Sequence, residues 1–339
     1  MVFNQLLQRY AVDLDRTMRQ VVSHLAPDFP TFQIMVRYPL GWSDEHGHPY
    51  AGQVGKRLRP LFLLLCTEAA GGDWHQALPA AAAVELLHNF SLVHDDIQDA
   101  SPLRHGRATV WRVWGTAHAI NTGDALFSLA FVALEQLSQC GIEPSTLIRV
   151  WRVFNHTNLE LTRGQHLDML YETQDRVSVD EYLSMVLGKS AALLGACAQI
   201  GALIATGSEP LAQIYGEFAL NLGLAFQIRD DILGIWGDPA VTGKSAATDI
   251  SSRKKSLPVL YGLSRSSQLA HIYSLQRLSQ ADVEQAVSLL DSAGARDYAL
   301  QVEAEYYDRA VAALERAQPQ GEAADWLKQF LAGLLQRSY

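Results

Sequence analysis

The period of the apolar residues constrains this chain most: they recur three and four positions apart over long segments, while strand-like alternation is scarce. Ala, Leu, Glu and Gln, all good helix formers, fill those segments. The spacing predicts helices over 3–25, 61–70, 77–97, 117–139, 145–173, 179–206, 209–233, 279–292 and 295–316. Most breaks fall at Gly/Pro clusters, at 39–55, 71–73, 141–144, 207–210, 237–248 and 318–321. Near the C-terminus, Trp326, Leu327, Phe330, Leu331, Leu334 and Leu335 share one helical face, which is expected to pack onto the body. The expected fold is all-α. A length of 339 residues allows two domains or one large one.

Composition narrows the function. With 27 Lys+Arg against 36 Asp+Glu, the net charge is −9, which argues against charge-driven binding to nucleic acid or anionic lipid, since a phosphate polymer needs a basic face. Cys66, Cys140 and Cys197 are widely spaced in apolar surroundings and read as reduced core thiols. The first residues carry charge every few positions with no apolar core before a small-residue cleavage site, so a cytoplasmic compartment is expected. The uncharged stretch 190–208 is rich in Ala and Gly and contains Gln199, which fits a buried helix better than a transmembrane span.

Two acidic clusters carry the chemistry. In D-D-I-Q-D, Asp95 and Asp99 lie about 40° apart on a helix, so their carboxylates project side by side, with His88 on nearly the same face. Oxygen ligands of this kind suit Mg²⁺; a solvated acidic helix end is the alternative for this motif alone. A second pair, Asp230 and Asp231, follows Gln227 by one turn and precedes Asp238. Two such clusters facing one cavity can hold several Mg²⁺ ions around a diphosphate and neutralise it as it departs. If the clusters must meet, residues 1–339 form one domain. Lys56, Arg57 and Arg59 after Gly55, together with Arg104, Arg107, Lys189, Lys244 and Lys254, supply cations for phosphate; for G-K-R alone, a charged loop cap is the simpler reading.

These motifs together closely resemble those of the trans-isoprenyl diphosphate synthases, the polyprenyl synthetase family. G-K-R-L-R-P (55–60), H-D-D-I-Q-D (94–99), G-Q-H-L-D (164–168), G-K-S (188–190), F-Q-I-R-D-D (226–231), T-G-K (242–244) and K-K-S-L-P (254–258) stand in the family's order. The resemblance implies a single large helical bundle around a central cavity, a homodimer, and three Mg²⁺ ions. It implies elongation of an allylic diphosphate (dimethylallyl, geranyl or farnesyl) by isopentenyl diphosphate. Asp95 and Asp99 would ligate two ions and Asp230 a third, with Asp96 and Asp231 in support. Arg104, Lys189, Gln227 and Lys244 would line the allylic site, with Ser190 near carbon one. Lys56, Arg57 and His88 would hold the isopentenyl diphosphate, and Lys254 matches a basic position near the closed site.

Two positions depart from the family pattern: His105 replaces a second arginine, and Gly234 replaces the last aspartate of the second motif. His105 donates to phosphate more strongly when protonated, so isopentenyl affinity is expected to fall as pH rises. Asp238 is a candidate substitute for the missing carboxylate, and the gaps leave open a non-catalytic subunit. Phe90 and Ser91, five and four residues before Asp95, match the arrangement of enzymes that stop at geranylgeranyl diphosphate. Ser91 lies about 40° from Asp95 and ~6 Å down the helix, while Phe90 points about 140° away and is equally well read as core. Farnesyl and longer-chain synthases are alternatives. A terpene cyclase is disfavoured, because it has no use for Lys56 and Arg57 and usually carries a different second metal motif.

Overall fold

In a computed structural model, residues 2–25, 28–50, 52, 55–174, 176–237, 247–275 and 277–335 are described. The chain divides into two compact units, one of Met1–Trp151 with Ile200–Gly207 and the other of Arg152–Gln199 with Ser208–Tyr339. The expected all-α class holds. Among the described residues the strands amount to one two-residue hairpin, Leu103–Arg104 paired with Arg107–Ala108.

The first unit contains α1 (Val2–Val22), α2 (Pro30–Arg37), α3 (Leu58–Ala69), α4 (Leu78–Gln98), α5 (Val110–Trp114) and α6 (Thr116–Glu135). Leu61–Leu65 of α3 are wholly buried, as are Ala80–Ala83 of α4, which accounts for the uninterrupted apolar runs there. At Gly123 of α6 an added Cβ would lie 2.2 Å from the His94 ring, so the glycine lets α4 and α6 pack closely around that imidazole. The hairpin turns through His105 (φ 50°) and Gly106 (φ 77°), two left-handed residues as a tight two-residue turn requires.

The segment 38–50 braces this hairpin. Arg107 stacks between the rings of Tyr38 and Tyr50, 4.0 and 3.9 Å from their centroids. It also donates to the carbonyls of Tyr38 and Ser43, and the Tyr38 hydroxyl returns a bond to the Ala108 carbonyl at 2.7 Å. Arg107 is therefore occupied with structure.

In the second unit, α7 (Pro144–Thr173) contributes from Arg152 onward, followed by α8 (Val179–Val186), a π turn (Leu187–Ala191), α9 (Ala192–Thr206) as far as Gln199, and α10 (Glu209–Trp236). Ser178 and Glu181 form a capping box at α8, and Ser208 caps α10 with Pro210 in its first turn. Helix α10 packs along Ala295–Ala317, where Arg229 and Glu303 make a buried ion pair of 2.7 Å. On the C-terminal helix Gly321–Leu335, Trp326, Leu327 and Leu331 are buried, as its amphipathic face requires.

Several expectations need correction. The stretch 179–206 is not one regular helix but is interrupted by the π turn. The short helices Pro30–Arg37, Val110–Trp114, Thr248–Ser251, Leu257–Leu263 and Ser267–Ser274 were not foreseen, since so few turns carry little periodicity. All three cysteines are free, but Cys140 is only half-buried. Among the described residues two helical stretches, Thr116–Gln139 and Val179–Thr206, are long and apolar enough to cross a membrane; 44% and 72% of their apolar windows are buried inside the protein, and the second is thus mostly core.

Candidate active site

In the first unit the site is built at the end of α4. Asp95 and Asp96 lie in its last turn, and Asp99 caps it, its N–H bonded to the Asp95 carbonyl at 2.9 Å. The i, i+4 relation of Asp95 and Asp99 is therefore as the spacing predicts. Arg104, delivered by the hairpin, donates through Nε to Asp96 Oδ1 at 2.8 Å and through Nη2 to Asp95 Oδ2 at 3.3 Å. Burial raises the pKa of Asp96, with Arg104 opposing the rise; Arg104 in turn is pushed up, its carboxylate neighbours outweighing burial. Asp96 is buried and Asp99 exposed, so a fixed, arginine-bound carboxylate stands next to accessible ones.

The basic residues of this unit separate in role. Lys56 and His105 are exposed. Arg57 instead donates to Asp15 Oδ1 at 2.7 Å and reaches the Leu40 carbonyl, from a left-handed backbone position (φ 47°) at the start of α3. Arg59 Nη1 lies 3.3 Å from His88 Nε2. Burial holds the pKa of His88 well below its ordinary value, helped by the charges of Arg59 and Arg104. Toward Arg59, which can only donate, His88 Nε2 is the acceptor. Ser91 Oγ is tied to the His88 carbonyl at 2.8 Å, and Phe90 packs on His94 and Phe127 at ring separations of 4.8 and 5.0 Å.

The second unit holds a carboxylate hub. Asp231, fully buried, accepts from Gln227 Nε2 (3.3 Å) and Lys254 Nζ (3.1 Å) on one oxygen. Its other oxygen accepts from the Leu257 N–H (3.1 Å) and the Tyr182 hydroxyl. Ser190 Oγ donates to Gln227 Oε1 at 3.2 Å, which extends the chain of bonds to the π turn. Burial opposes charge on Lys254, but Asp231 and Asp249 outweigh it and its pKa is raised. Burial and the neighbouring Asp231 drive that of Tyr182 far up, so its hydroxyl stays a donor. Asp230 on the same helix is half-exposed.

Lys189 sits in the π turn, a local widening often found at functional sites, and its Nζ pairs with Asp168. An added Cβ on Gly164 would lie 2.1 Å from the Lys189 nitrogen, and one on Gly188 would lie 2.6 Å from the Glu160 carbonyl. These glycines let α7 meet the π turn backbone to backbone, and so set the Lys189–Asp168 pair.

The structure thus joins Asp95, Asp96 and Arg104 in one network, and Ser190, Gln227, Asp231 and Lys254 in another. Lys244 and Asp238 lie outside the described residues. Sequence reasoning gave no role to Asp168, Tyr182 or Asp249, and read Arg59 as a phosphate cation where it is engaged with His88. Asp168 stood in a quoted motif, but Tyr182 and Asp249 carry no local signal.

Among the described residues, no three His, Cys, Asp or Glu side chains gather closely enough to hold a metal ion unaided. Paired, accessible carboxylate oxygens fit Mg²⁺ shared with substrate phosphate, the usual mode for that hard ion. Asp95, Asp99 and Asp230 fit that role. Asp231 does not, since four donors already occupy its oxygens.

Comparison with known proteins bears on this arrangement. The model of the polyprenyl synthetase family matches residues 42–290. A geranylgeranyl diphosphate synthase of Mycobacterium tuberculosis is 39% identical over 317 residues, 92% of this chain and 89% of that protein. A (2E,6E)-farnesyl diphosphate synthase of the same species is 44% identical over 245 residues, 72% of this chain and 66%, just under two thirds, of the relative. The crystal structure of a polyprenyl synthetase from Streptomyces coelicolor superposes with a TM-score of 0.88 at 35% identity, covering 98% of this chain and 99% of that one.

Proposed function

The chain belongs to the polyprenyl synthetase family of trans-prenyltransferases, and on that premise we propose that it condenses isopentenyl diphosphate with an allylic diphosphate to give geranylgeranyl diphosphate. The observation that carries this reading is the division of labour in the carboxylates: Asp96 and Asp231 are engaged by side chains of the protein, while Asp99 and Asp230 retain exposure. In this reading the two units act as one catalytic domain, and both carboxylate sets serve the same reaction.

Asp95, Asp99 and Asp230 would hold three Mg²⁺ ions, which would supply the positive charge that the departing diphosphate needs. Lys189, Lys254 and Arg104 add fixed cations, and Lys56 is available to isopentenyl diphosphate. Such preorganised charge favours ionisation because it is already oriented when the carbon–oxygen bond breaks. The isopentenyl double bond attacks the allylic cation, and the proton lost afterwards goes to the released diphosphate. No protein nucleophile is required.

Chain length, in this reading, rests on Ser91, whose small side chain is turned back onto its own helix. The relatives include both a geranylgeranyl and a farnesyl synthase. A homodimer is supported by α6, whose stretch is apolar yet under half buried and exposes Ile120. The charge balance and the core character of Val179–Thr206 support a cytoplasmic enzyme. Incubation of the purified protein with labelled isopentenyl diphosphate and farnesyl diphosphate tests the reading: a labelled C20 diphosphate is expected. Product stopping at C15 from shorter starters, or running past C20, would replace the chain length; label in no product would leave a non-catalytic subunit.

A further inference from the structure

Gly234 lies within α10, buried and with an ordinary helical backbone, so no turn explains a residue that costs helix stability relative to alanine. Space explains it. A Cβ at 234 would fall 2.5 Å from Cγ and Oδ2 and 2.7 Å from Oδ1 of Asp249, so that carboxylate lies flat against the glycine. Asp249 comes from the short helix Thr248–Ser251, distant in sequence from the second acidic motif.

Its surroundings indicate what it does there. Asp249 Oδ2 is shielded from solvent, makes no hydrogen bond among the described residues, and lies 3.5 Å from Lys254 Nζ. The same ammonium donates to Asp231 Oδ1 at 3.1 Å, and the Lys254 backbone N–H donates to the Asp249 carbonyl at 2.8 Å. Two carboxylates from different elements therefore fix one ammonium whose side chain is still 45% exposed. A lysine has three N–H donors; one is given to Asp231, Asp249 holds the ammonium by charge at 3.5 Å, and donors remain for an incoming anion.

We propose that Asp249 is a positioning residue for Lys254, seated in the space that Gly234 provides, and that this pairing supplies the second motif with the carboxylate it lacks at 234. An aspartate placed at 234 would then compete with Asp249. The inference rests on the reading of Lys254 as a diphosphate-binding cation.

The test is binding of magnesium pyrophosphate by calorimetry on the full chain, together with thermal unfolding. Asp249→Asn should bind about tenfold more weakly, as expected for loss of one charged partner, with the fold retained. Gly234→Ala should lower both affinity and melting temperature, because its methyl displaces the carboxylate. Adding Asp249→Ala to it should restore the melting temperature but not the affinity. Gly234→Asp alone should weaken binding, whereas Gly234→Asp with Asp249→Ala should bind within about threefold of wild type, the carboxylate now arriving from the other side. Wild-type affinity in Asp249→Asn, or a melting loss in Gly234→Ala that Asp249→Ala fails to relieve, would overturn the proposal. A wild-type protein that binds no magnesium pyrophosphate would remove the diphosphate reading and this inference with it; wild-type binding unchanged in Asp249→Asn would remove the inference alone.

Discussion

The Tyr182 hydroxyl donates to Asp231, a carboxylate with no solvent exposure that also accepts from Lys254 and from the Leu257 N–H. One aspartate therefore ties α8 and α10 to the segment that carries Lys254. An asparagine there would turn one acceptor into a donor facing donors. Asp231→Asn is expected to lose about 2–3 kcal/mol of stability in urea denaturation, and Tyr182→Phe about 1.5–3 kcal/mol, the cost of a hydrogen bond to a charged group. Stability within 0.5 kcal/mol of wild type in both, on the order of an ordinary surface substitution, would remove Asp231 as the hub.

Arg104 opposes the rise that burial imposes on the pKa of Asp96. Arg104→Gln removes that opposition, so Asp96 takes up its proton at higher pH. The acid limb of the kcat profile should move upward by about one pH unit. A limb that stays in place while kcat falls would mean that Arg104 acts only on substrate.

Burial and the Arg59 charge depress the pKa of His88 in the folded protein. A depressed folded-state value makes its contribution complete above the unfolded pKa, about 6.5, and progressively lost as pH falls below it. Wild type should lose about 1 kcal/mol more than His88→Asn between pH 6.5 and 5.5. Parallel stability curves for the two proteins would contradict a depressed pKa at His88.

Much of this was legible in the sequence, and the limits are physical. Long helices announce themselves by period, and Asp95 and Asp99 share a face because four residues make nearly one turn. The partners of a buried group leave no such mark: Asp231 draws donors from 49 residues before it and 26 after it. Arg57 and Arg107 read as phosphate ligands, yet Asp15 and two tyrosines engage them, contacts set by tertiary packing. The glycine at 234 looked like a lost ligand and proves to be the seat of Asp249.

Ser91 turns its hydroxyl onto the His88 carbonyl, and Phe90 is occupied with its aromatic neighbours. Ser91→Phe should therefore shorten the product toward farnesyl diphosphate, read by chromatography of the dephosphorylated alcohols. An unchanged product ladder would remove Ser91 as the floor.

The central claim, metal-assisted elongation through two carboxylate sets, is tested most directly by the initial rate of label transfer from isopentenyl diphosphate to an allylic acceptor. Wild type should incorporate label only when an allylic diphosphate and Mg²⁺ are both present, lose it with EDTA, and lose at least about a hundredfold in rate in Asp95→Ala and in Asp230→Ala. Incorporation that survives EDTA, or cyclic hydrocarbon formed from the allylic substrate alone, would contradict it.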